Sequence, residues 1–83
     1  MAKKKDEFKY ELINEIGVIS ESKSGWRKEL TRVSWNGKEP KYDIRDWSAN
    51  HEKMGKGLTL TDEELRKLQE IISAEILFLD SEE

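Results

Sequence analysis

The sequence predicts an α+β fold, a four-stranded antiparallel sheet followed by a C-terminal helix in the order β-β-β-β-α. Three observations predict it. The first half alternates apolar and polar residues with a period of two. An Asn36-Gly37 pair separates two strand-like runs, the strongest short hairpin signal in the chain. Thr61-Asp62-Glu63-Glu64 is a capping box that opens a run of helical periodicity.

The elements follow in order. Residues 1–7 are charged, have nothing to pack and read as a disordered tail. Phe8, Tyr10 and Leu12 share one face of a strand that runs to about Ser20, with a bend or bulge near Gly17. Ser22-Lys23-Ser24-Gly25 is a turn. Trp26 to Trp35 is the second strand and Lys41 to Ser48 the third. Residues 49–57, with two glycines, read as a loop, and Leu58-Thr59-Leu60 as a short fourth strand. The helix spans Asp62 to Leu79. Leu65, Leu68, Ile72, Ile76 and Leu79 form one stripe, which Ile71 and Phe78 widen to an arc of about 160°. A helix covering only its own sheet needs an arc of about 100°. The surplus predicts a second copy of the helix, with Ile71, Glu75 and Phe78 at a homodimer interface. The domain is expected over residues 8–80, with 81–83 as an acidic end.

Composition narrows the function. The chain has 83 residues and no Cys, so disulfides, thiolate metal sites and cysteine nucleophiles are out. It has one His, so no metal or other cofactor is expected. His51 lies in a polar loop with no evident orienting partner, and Gly55-Lys56-Gly57 lacks the spacing of a phosphate loop. No catalytic residues are assigned, and an enzyme is not expected. No apolar run approaches the ~20 residues of a membrane span, and no apolar segment follows the first lysines. The expected location is cytoplasmic, nucleoid association included, with no membrane or small-molecule partner.

Net charge is -3, unevenly spread. Residues 22–57 carry net +4 and residues 58–83 net -6. A basic middle fits either an anionic partner or a solvated surface whose signs have segregated. All three Trp residues fall in that middle. Tyr42 and Ile44 share the face expected to pack under the helix, which puts Arg45 and Trp47 on the opposite, open face. Rings alternating with cations on a sheet suit a single nucleic-acid strand: bases stack on the rings while cations track the phosphates. Trp35 and Trp47 are read as stacking residues. Trp26 stands evenly between that role and a core position.

Asp43-Ile44-Arg45-Asp46-Trp47, followed by Gly55-Lys56-Gly57-Leu58-Thr59-Leu60-Thr61, resembles the single-stranded-DNA-binding domain of the transcriptional positive cofactor four family. Ile16 to Trp26 is similar to its small bacterial, YdbC-like relatives. The resemblance covers residues 8–79. It implies a homodimer of strongly curved sheets with paired helices, and single-stranded DNA lying over the β-surface. Carried over by position, the DNA-binding residues are Lys23, Trp26, Arg27, Lys28, Trp35, Lys38, Arg45, Trp47 and Lys56. The long regulatory tail of the animal coactivators has no counterpart in residues 1–7, so the resemblance implies the binding core and a role in transcription or DNA maintenance. The rival expectations are single-stranded RNA binding on the same surface, or a protein-interaction module anchored by the Trp residues.

Overall fold

The computed structural model describes residues 9–81. The expected tail, Phe8 and the last two residues lie outside them. The elements are β1 (Tyr10–Glu21), β2 (Arg27–Trp35), β3 (Lys41–Trp47), β4 (Met54–Leu60) and α1 (Asp62–Ser81). The strands form one sheet in the order β1-β2-β3-β4, every pair antiparallel.

Local chemistry accounts for the connections. Asn36 and Gly37 both take positive φ, 51° and 76°, and the Lys38 amide donates to the Trp35 carbonyl at 2.9 Å. Two consecutive positive φ angles match the right-handed twist of the flanking strands. At the helix start, the Glu64 amide donates to Thr61 Oγ1 at 3.1 Å and the Thr61 amide to Glu64 Oε1 at 2.9 Å. The capping box therefore satisfies two helix-terminal donors reciprocally, and three acids occupy the first turn, where the helix dipole favours them.

The sheet is strongly curled. β1 slips register against β2 at three points, between Leu12 and Asn14, Glu15 and Gly17, and Val18 and Ser20. Each slip bends the strand and adds twist. As a result Tyr10 on β1 reaches across β2: its ring centroid lies 5.6 Å from that of Trp47 on β3, and its hydroxyl donates to the His51 carbonyl at 2.8 Å. The core fills the hollow of this curl. Glu29, Thr31 and Val33 point into it from β2, Asp43 and Trp47 from β3, and all five are buried.

Two expectations about packing are corrected. The segment 49–57 was expected to be a loop, but β4 begins at Met54, so the loop is residues 48–53 and the strand has seven residues. Its Gly57 permits a close approach. A Cβ at Gly57 would overlap Arg45 Cβ and the Ile44 carbonyl oxygen across the ladder. The helix, expected to lie along the sheet, leaves a groove of about 600 Å³ between its first turns and Leu30, Tyr42 and Ile44. Tyr42 and Ile44 do face the helix, as their alternation implied. Yet α1 has no buried residue, and Ile71, Ile72, Ile76, Leu77, Phe78 and Leu79 are between 45% and 72% exposed.

Gly57→Ala is expected to destabilise the fold by about 1–3 kcal/mol through overpacking against backbone. Gly17→Ala, with no atom within 4 Å of its new Cβ and no positive φ, is expected to raise stability by roughly 0.4–1 kcal/mol. Urea denaturation of the two variants checks the pair. Equal effects would contradict the described packing of β4 on β3.

Candidate nucleic-acid interface

Trp35 ends β2 immediately before the Asn-Gly turn and is half-buried. Tyr10 and Arg45 are among the neighbours of its ring. The Tyr10 ring lies tilted at 6.0 Å between centroids, and the Arg45 guanidinium carbon sits 4.9 Å from the ring centroid, within cation–π range. Arg45 is itself held on its own strand. Asp43 and Arg45 are two apart and so share a face. Arg45 Nε and Nη2 donate to the two Asp43 oxygens, at 2.5 and 2.9 Å. The Asp43 carboxylate is fully enclosed and also accepts from Thr59 Oγ1 at 3.0 Å. Arg45 Nη1 donates to the Gly55 carbonyl at 3.2 Å.

Trp47 shares the Arg45 face but not an open surface. It was expected to present its ring to a base, and its exposure is 0%. Tyr10 covers it from β1, and His51 lies 5.5 Å away between ring centroids. The curl of the sheet encloses it, so Trp47 is a core residue. Trp26 stands at the far end of β2 from Trp35, half-buried, with Gly55 beside its ring. A shallow cavity of about 370 Å³ separates it from Ser48, Asn50, Glu52 and Lys53.

The expected cations divide by position. Lys38 lies beyond Trp35 on the β2–β3 turn; Lys23 lies on the β1–β2 turn, near the Trp26 end; Lys56 lies on β4 where its register against β3 shifts. All three are exposed, and none makes an ion pair among the described residues. Lys28 is exposed too, but it alternates with buried Glu29 and pairs across the ladder with Asp46. It therefore turns to the helix-bearing side, away from Trp35, which corrects its grouping with Arg27. Arg27 points into the curl, where its Nε lies 3.4 Å from Glu29 and its Nη2 donates to the Ala49 carbonyl at 3.4 Å. Its side chain is 31% exposed, so its charge is only partly committed to these neighbours.

His51 is the residue whose partners sequence reasoning missed. Its Nε2 lies 3.0 and 3.1 Å from the two oxygens of Glu29, and its Nδ1 lies 3.9 Å from Glu15. These partners are 22 and 36 positions away in the chain, so no local pattern could announce them. The three residues group closely enough to suggest a cation site. The two carboxylates flank different ring nitrogens, and Glu15 is exposed. The arrangement is a clamp that ties the 48–53 loop to β1 and β2. Tyr10 and Asp43 were likewise unassigned. Tyr10 was legible only as an alternating strand residue, and Asp43 only as an acid beside Arg45.

No helix among the described residues is long and apolar enough to cross a membrane. An uncharacterized protein of Treponema pallidum (strain Nichols) is 46% identical over 69 residues, which cover 83% of this chain and 81% of the relative. The family model of the transcriptional coactivator p15 (PC4) matches residues 22–71, from the first turn through all of β2, β3 and β4 into the helix. With its sheet, its pre-helix Gly-Lys-Gly strand and its capped helix in that order, the chain belongs to the PC4 family of transcriptional coactivator domains.

Proposed function

We propose that this protein binds single-stranded DNA without sequence preference, as a homodimer, in transcription regulation or DNA maintenance in the cytoplasm or nucleoid. Membership of the PC4 family supports a nucleic-acid-binding, non-enzymatic role. The observation that carries the reading is Trp35: a half-buried ring, backed by Arg45 and Tyr10, beside a turn bearing the exposed Lys38. A base stacks on Trp35; Trp26, whose ring lies beside Gly55 on the Asp46 side of the ladder, is a second station for a strand that wraps the sheet's edge. Lys38, Lys23 and Lys56 pair with phosphates. Arg27 adds local positive potential. Lys28, on the opposite side, meets only a strand that wraps the sheet's edge.

The helix supports the dimer. A chain this small has little core of its own. Here an amphipathic helix exposes a row of large apolar residues, and a second copy is the simplest partner with a matching face. Ile71, Glu75 and Phe78 are spaced four and three apart, so they share one face of that interface.

Fluorescence anisotropy with labelled oligo-dT, against duplex and RNA of equal length, tests the binding. Salt-weakened binding to the single-stranded DNA is expected, and no binding at low salt overturns the reading. Equal or tighter binding to RNA reassigns the ligand. Trp35→Ala is expected to cost roughly 1–3 kcal/mol of affinity. Lys38→Ala is expected to reduce the slope of log affinity on log salt by roughly 0.7, as for one phosphate contact on a single strand. For the assembly, Phe78→Asp should shift the sedimenting species from dimer to monomer. A wild-type monomer at micromolar concentration removes the dimer.

A further inference from the structure

We propose that Arg45, held by Asp43 and Thr59, is a positioning residue for Trp35 rather than a phosphate ligand. This deepens the single-strand-binding reading and rests on it for the affinity readouts. The geometry points to it in three ways. Three of the five guanidinium N–H groups already donate to oxygens, Nε and Nη2 to Asp43 and Nη1 to the Gly55 carbonyl, and Nη1 also approaches Met54 Sδ at 3.6 Å. A two-bond phosphate contact would have to take a donor from Asp43, leaving that enclosed carboxylate without part of its pairing. The side chain is only 14% exposed, so an incoming strand meets little of it. Asp43 also cancels the charge, so the pair offers no net positive site whose neutralisation would release counterions.

What the guanidinium does instead is occupy one face of the Trp35 ring. Planar stacking of Arg on an aromatic face fixes the ring's tilt more firmly than an ammonium can. The chain of contacts runs from Thr59 on β4, through Asp43 and Arg45 on β3, to Trp35 on β2. Three strands thus set the attitude of one ring, and a ring held in advance lowers the ordering cost of binding.

Two variants and a double-mutant cycle test this. Arg45→Lys keeps the charge, and with it any phosphate contact, but loses the planar stack. Positioning predicts a 5- to 50-fold loss of affinity for oligo-dT with an unchanged salt slope. Retained affinity overturns the proposal. In the cycle, Arg45→Ala should cost little more once Trp35→Ala is present, because both act through the same ring. Additive losses with a slope reduced by roughly 0.7 identify a phosphate ligand and overturn it. Thermal melting of each variant establishes that it is folded.

A readout free of DNA separates failure of this proposal from failure of the binding reading. In a Trp26→Phe background, Trp47 is enclosed, so emission quenched by acrylamide comes from Trp35. Arg45→Lys should raise that quenching by uncovering the ring. Unchanged quenching overturns the positioning role even if oligo-dT binds. A wild type that fails to bind DNA but shows the increase leaves the ring contact standing and removes only the ligand.

Discussion

The enclosure of Trp47 is the constraint on which the rest of the structure depends. A single sheet with a sparsely attached helix has no second layer to cover its apolar side. This chain meets the requirement by curling the sheet until β1 reaches β3. Three register slips in β1 supply the bend. Gly57 lets β4 approach Arg45 without a side chain in the way. Tyr10 then lies over Trp47, and its hydroxyl fastens to the 48–53 loop. Burying one indole is worth a large share of what so small a core supplies.

The same curl explains why charged groups lie inside. Asp43 and Glu29 are nearly or fully enclosed, and each has a cationic or imidazole partner from another position on the inner face. Buried pairs of this kind add little net stability, since desolvation offsets attraction. Their contribution here is geometric. Asp43 fixes Arg45, which faces Trp35; Glu29 fixes His51, which closes the loop over Trp47. The two pairs stand near different indoles, and the Tyr10 ring is in contact with both Trp35 and Trp47.

The two sides of the sheet have separate tasks. The inner side is self-sufficient within one chain. The helix-bearing side is not: its groove stays open, and the apolar residues of the second half of α1 have no cover of their own. Charge follows the same division, with net +4 over residues 22–57 and net -6 over residues 58–83. The positive potential therefore lies on the strands and the negative potential on the helix.

By itself the sequence determined the features that depend on neighbours a few positions apart. The Asn36-Gly37 turn, the Thr61–Glu64 cap, the strand order and the side of Tyr42 and Ile44 are short-range properties, and the structure has all of them. The family motif likewise lay in contiguous residues. Tertiary structure alone decided which Trp is buried. Alternation places Trp47 and Arg45 on the side away from the helix, but it does not reveal that this side curls shut. It also decided that Gly55 and Gly57 belong to a strand, and the close contact that Gly57 permits is with another strand. It gave His51 its carboxylates from β1 and β2, and it spent the charge of Arg45 on Asp43. In each case the deciding distance is through space between strands, and curvature, which sets those distances, is a sum over the whole sheet that no local window contains.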